Sequence, residues 1–215
     1  MKKTRVLLAI PCLVAFLAVT GAPAHADITS AVVYQNVPNP GNAGSSANWA
    51  STLPSASFTI GASGIDFTSP PSAYTTAAFL NNPTFSNQVN GFDPNGTADN
   101  IELVIDGSLY LNAGANSFVV GHDDGAVLSI AGFGNVVDAP GPTAYSSSPF
   151  TVNAATAGMY NFHLEYAECC GGPSDLVFRV NDAPIGASTP EPTSFILLGS
   201  GLLGFAGVVR RRIGL

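Results

Sequence analysis

Three groups of residues in this chain could do chemistry. Asp123-Asp124-Gly125 sets two carboxylates side by side ahead of a glycine. Neighbouring carboxylates on one loop can offer oxygen ligands to a cation, but Asp124-Gly125 is also the dipeptide of a tight hairpin turn. Cys169-Cys170 form the second group. Being adjacent they cannot staple distant strands together, so the choices are a vicinal disulfide, which we favour, two buried thiols, or a bond to another molecule. The third group is His122, His163, Glu165 and Glu168. The two histidines stand at no recognisable metal spacing, and no Gly-x-Ser-x-Gly elbow supplies a nucleophile for them. Glu165 projects from an alternating segment while Glu168 begins a loop, so nothing fixes the carboxylate separation that glycoside hydrolysis needs. The glycines are scattered through turns and form no phosphate cradle. Catalysis is not expected.

The elements that must hold these residues are strands. In Met159–Tyr166, "MYNFHLEY", Tyr160, Phe162, Leu164 and Tyr166 share one face and Asn161, His163 and Glu165 the other, the period-two pattern of a half-buried strand. "DLVFRVN" repeats it with Leu176, Phe178 and Val180 inward and Arg179 outward. "IELVID", "SLYLN" and "AVLSI" read likewise, separated by Asp106-Gly107, Ala113-Gly114-Ala115-Asn116 and Gly132-Phe133-Gly134 punctuation. No sustained helical stripe interrupts them, which predicts an all-β, antiparallel β-sandwich. Residues 36–100, rich in Gly, Ser, Pro and Asn, are expected to carry long loops.

Charge narrows the partners. Only 10% of the 215 residues are charged, against the usual quarter. Between Asp27 and Thr189 there are thirteen acids and one base, Arg179. Phosphate backbones are bound through clustered Lys and Arg, so nucleic acid is excluded as a partner.

The remaining bases lie at the two ends. Lys2, Lys3 and Arg5 precede an apolar run from Val6 to Thr20 and the small-residue pattern Ala24-His25-Ala26, the three parts of a secretory signal with cleavage after Ala26. The run is interrupted by Pro11 and falls short of the roughly 20 residues of a spanning helix. The mature cysteines therefore face an oxidising compartment. At the other end Thr193–Val209 is uncharged, and as a helix it would cover roughly 25 Å, enough for a thin bilayer. Arg210, Arg211 and Arg212 follow at once and would stay on the cytoplasmic side, leaving the body outside.

Pro190-Glu191-Pro192, a short apolar segment and an arginine cluster, in that order at the C-terminus, resemble the PEP-CTERM sorting signal. The resemblance implies a membrane anchor at 190–215, recognition by an exosortase-type processing enzyme, removal of the tail, and delivery to the envelope or the extracellular polysaccharide matrix of a Gram-negative bacterium. Residues 1–26 are then the signal peptide and 27–189 the folded body.

Within the body, Asn116–Asn181 resembles the protective-antigen (PA-fourteen) domain, a jelly-roll-type β-sandwich. The matching pieces are a strand running into Asp123-Asp124-Gly125, a Leu-Ser-Ile strand, a small hairpin, an Ala-Gly-Met-Tyr turn into a long aromatic strand, a glycine-rich loop and a last strand. In adhesin members of that family the paired aspartates hold calcium, which grips sugar hydroxyls. The resemblance therefore implies calcium at Asp123 and Asp124, and a carbohydrate-binding module, with Tyr145 or Trp49 offering an aromatic face to a sugar ring. This chain has Ala131-Gly132 where relatives often carry a second Asp-Gly, and Asp138 is a further candidate oxygen donor. The competing expectation is a structural matrix protein, a spacer with no specific ligand.

Overall fold

The computed structural model describes residues 26–38, 43, 52–69, 75–186 and 199–200. Residues 1–25 of the expected leader, Trp49, the Pro190-Glu191-Pro192 triplet and Arg210–Arg212 lie outside the described residues, while Ala26 opens the first strand. Among the described residues no helix is long and apolar enough to cross a membrane.

In chain order the elements are β1 (Ala26–Gln35), β2 (Ser55–Phe58), β3 (Asp66–Thr68), a one-turn helix α1 (Thr76–Phe79), β4 (Phe85–Val89), β5 (Ile101–Leu111), β6 (Gly114–Asp123), β7 (Gly125–Ile130), β8 (Gly134–Ala139), β9 (Ser146–Ala154), β10 (Gly158–Glu168), β11 (Asp175–Val180) and β12 (Ala183–Pro184). They form two antiparallel sheets. One has seven strands in the order β4-β2-β1-β5-β10-β7-β8; the other runs β12-β11-β6-β9, with β3 also paired to β11. The all-β sandwich expected from the alternation is the fold.

The inward faces supply the core. On β10 the even-numbered residues Phe162, Leu164 and Tyr166 are buried, and on β11 so are Leu176, Phe178 and Val180. The two sheets meet through edge-on aromatic packing, with Phe162 and Phe178 rings 5.5 Å apart at 81°. Burying a side chain of that size contributes on the order of 2–3 kcal/mol, and Phe118, Phe67, Phe79 and Tyr166 join the same layer. Among the described residues between 36 and 100 the elements are the short β2, β3, α1 and β4.

A first boundary differs from the sequence reading. Asp106-Gly107 does not end a strand: β5 runs unbroken from Ile101 to Leu111. Gly107 is there because the sheet is tight. A Cβ on it would lie 2.6 Å from the Asp27 carbonyl and 2.8 Å from the Phe162 ring, beside the register shift of β1 between Ile28 and Ser30.

Candidate functional site

The site is built where the chain crosses from one sheet to the other. β6 belongs to the smaller sheet and β7 to the larger. Asp123 and Asp124 therefore form the crossing, and Asp124-Gly125 is not the tight hairpin turn that its sequence suggests. The Asp123–Asp124 peptide is cis. Both aspartates are buried, and two loops close over them.

The loop between β8 and β9 is the first. Its Thr143 N–H donates to Asp124 Oδ1 at 3.1 Å, and the Tyr145 N–H donates to the Asp123 carboxylate. The Tyr145 ring lies against Gly121, where a Cβ would come within 2.7 Å of the phenolic oxygen, yet the residue is 54% exposed. The loop reaches this position because Gly125 has no side chain: a Cβ there would fall 2.2 Å from the Pro140 carbonyl oxygen.

The loop between β10 and β11 is the second. Its Cys169 N–H donates to Asp124 Oδ2 at 2.9 Å, so each oxygen of that carboxylate receives one backbone N–H and keeps lone-pair capacity for a further partner. Cys169 and Cys170 are joined in a disulfide, with Cα atoms 3.7 Å apart. Cys169 is buried and Cys170 exposed. The backbone makes the turn with Cys170 and Gly171 at positive φ.

Glu168, at the end of β10, completes the cluster. Asp123, Asp124 and Glu168 each present an oxygen within 4.8 Å of the others. Glu168 is fully buried, and its Oε1 has no hydrogen bond of ordinary geometry. Oε2 lies 3.0 Å from the Tyr166 hydroxyl, which donates a short hydrogen bond to the Asp123 carbonyl. Burial pushes the Glu168 carboxyl up to about 8; Ser174 and Tyr166 oppose the shift, and the charges of Asp124 and Asp123 add to it. Burial, then Asp124, raises Asp123 as well, against the Tyr145 N–H.

Magnitudes decide what such a cluster requires. Two carboxylates at this separation repel by about 3 kcal/mol at an effective dielectric of about 20. The one basic side chain of the body, Arg179, is occupied 3.0 Å from Asp66. Asp175, opposite Asp123 in the β6–β11 register, adds acid rather than relieving it. A bound cation would relieve that repulsion. Three oxygen donors, two of them positioned by backbone N–H groups, suit a hard cation such as calcium.

His122 sits just below, its Nδ1 donating to the Asp124 carbonyl at 2.6 Å while the buried Nε2 has no partner. Other sequence candidates lie elsewhere. Asp138 is exposed on β8. His163 lies on the outer face of the larger sheet between Asp106 and Glu165, at 2.7 and 2.8 Å. Glu165 and Glu168, three apart on one strand, project to opposite faces.

Glu168 is the ligand candidate that the sequence does not single out: it reads as the start of a loop, whereas β10 runs through it. The available signal was phase: Glu168 continues the inward series of Phe162, Leu164 and Tyr166, and a carboxylate at an inward position needs a partner.

The fold and the C-terminus both resemble known proteins. The PA14 domain of the antifreeze protein MpAFP superposes with a TM-score of 0.52 at 18% identity, covering 78% of this chain and 87% of that one. The PA14 sugar-binding domain of an RTX adhesin gives 0.50 at 18% identity, over 70% and 88%. No curated protein sequence is similar enough to count as a match. Residues 188–212 match the PEP-CTERM protein-sorting motif. The chain thus carries a PEP-CTERM sorting motif at its C-terminal end, behind a body with the fold of a PA14 domain.

Proposed function

We propose that this is an exported bacterial surface protein, sorted by an exosortase-type enzyme through its C-terminal motif, whose body binds glycans with the help of calcium. The sorting motif and the PA14 fold fit the first part. The observation that carries the second is the convergence of Asp123, Asp124 and Glu168, with Glu168 Oε1 buried and without a hydrogen bond of ordinary geometry.

Asp123, Asp124 and Glu168 would hold the ion. Thr143 and Cys169 orient the Asp124 oxygens, and Tyr145 orients Asp123, so the donors are set before any cation arrives. A bound calcium ion supplies further coordination positions that vicinal hydroxyls of a sugar can fill. Tyr145, half-exposed beside Asp123, offers its ring face to the same sugar. The sugar-binding description of the RTX adhesin domain, a protein of the same fold, points the same way.

The test is a glycan array probed with the full chain, in calcium and in chelator, alongside Asp123→Ala. Binding that needs the ion and is lost in the variant supports the reading. An array blank under both conditions favours a structural spacer without a ligand.

A further inference from the structure

The disulfide remains unexplained by cation binding. The Cys169 and Cys170 sulfurs and an Asp124 carboxylate oxygen all lie within 4.8 Å of one another. A disulfide sulfur is no thiolate, and a hard cation of the calcium type takes oxygen ligands. The sulfurs are therefore neighbours of the cation site and not part of its shell. They are also placed unevenly. Cys169 is buried and gives its N–H to Asp124, whereas Cys170 turns outward, exposed, at positive φ. The outward position puts a polarisable atom with no hydrogen-bond donor beside the Asp124 carboxylate.

A pyranose has two kinds of surface. Its hydroxyl edge is polar, and the axial C–H bonds of a ring face form an apolar patch. Recognition of such a molecule needs oxygen partners for the edge and soft apolar atoms for the face.

We propose that the Cys169–Cys170 disulfide is the apolar wall of a sugar subsite: it packs against the C–H face of a pyranose whose vicinal hydroxyls complete the coordination of a cation held by Asp123, Asp124 and Glu168. This rests on the glycan-binding reading above. Tyr145, through its N–H on Asp123, and Cys170, through the neighbouring N–H on Asp124, each extend from a residue that fixes one aspartate. The wall and one anchor of the ion site, the Cys169 N–H on Asp124, thus share the loop between β10 and β11, which makes the disulfide a determinant of which sugar faces fit.

The experiment separates ion from sugar on the full chain. Calcium alone is titrated calorimetrically. The methyl pyranosides of glucose, galactose, mannose and fucose are then titrated in saturating calcium, with saturation-transfer NMR reporting which sugar protons touch protein. Each measurement is repeated after reduction with a water-soluble phosphine, which takes oxygen from water to become the phosphine oxide and leaves two thiols, and again on Cys169→Ser/Cys170→Ser. The expected result is calcium affinity within threefold of the oxidised protein, sugar affinity at least fivefold weaker, and loss of saturation transfer to the C–H protons of one ring face. Unchanged sugar binding overturns the wall while leaving the glycan reading standing. Loss of calcium binding together with sugar binding overturns it in favour of a disulfide that only positions Asp124. Failure of the oxidised protein to bind calcium or any of the four sugars overturns the glycan reading, and the wall with it.

Discussion

The backbone N–H of Cys169 donates to Oδ2 of Asp124 at 2.9 Å, tying together residues 45 apart in the sequence. Through that bond the loop after β10 and the crossing between the sheets behave as one unit. Asp124 also accepts from Thr143 of a third segment, so a single carboxylate holds two loops.

Asp124→Ala should therefore cost more than a lost ligand. Two backbone N–H groups lose their acceptor, at about 1–3 kcal/mol for each that stays buried and unsatisfied. Urea unfolding in chelator should show a loss of at least about 2 kcal/mol, with no stabilisation on adding calcium. A variant as stable as the parent would mean that the two loops do not depend on Asp124.

Gly125→Ala tests the close approach of Pro140. A Cβ would meet that carbonyl oxygen at 2.2 Å, and neither partner is a flexible side-chain end. The Thr143 and Tyr145 contacts should loosen together. We expect a loss of about 2 kcal/mol or more, within the range of overpacking effects, and weaker calcium binding by calorimetry. Gly158→Ala, where an added Cβ meets nothing within 4 Å, should change stability by less than about 0.5 kcal/mol.

Glu168 gives a pH signature in chelator. Its folded carboxyl is pushed up to about 8 by burial, against Ser174 and Tyr166 and with Asp124 and Asp123 adding, from an ordinary value of 4.5. The folded state then holds a proton that the unfolded chain releases, so stability is fully present below 4.5 and falls as pH rises toward 8. Glu168→Gln, which carries no charge to bury, should be more stable than the parent by roughly 1–3 kcal/mol at pH 8.5 and equal to it at pH 4.5. Denaturant curves at the two pH values decide it, and an equal gap at both would remove the buried carboxyl as its source. Calcium should reverse the order at pH 8.5, because the glutamine loses a charged ligand.

His163 behaves in the opposite sense. Burial disfavours its charge, but hydrogen bonds to Glu165 and Asp106 outweigh that and raise it above 6.5. Its contribution is fully present below 6.5 and disappears as pH rises through the raised value. The side chain is 41% exposed, so solvent screening holds the effect to a few tenths of a kcal/mol. His163→Gln should lower the melting temperature slightly at pH 5.5 and leave it unchanged at pH 8.5.

How far the sequence could be read depended on whether the cause was local. The alternation in 159–166 and 175–180 specified β10 and β11 because burial of one strand face has period two. Asp106-Gly107 resisted the same logic. That glycine answers a crowding by Phe162 and Asp27 that exists only after the sheet has formed, and on paper it has the form of a turn. The aspartate pair was visible as chemistry, but its setting was not. That β6 and β7 enter different sheets is a tertiary fact, as is the convergence of Thr143, Tyr145 and Glu168 on two residues far from them in sequence. Tyr145 was legible as an aromatic in a loop; its N–H on Asp123 was not.

Arg179 has a consequence of another kind. Its guanidinium is clamped to Asp66 on a paired strand, and no lysine or other arginine occurs between Asp27 and Thr189. A trypsin-like protease has one cleavable bond in that stretch, and it is locked inside regular structure. The folded body should come through trypsin digestion whole, and peptide-mass surveys that rely on trypsin will tend to overlook it.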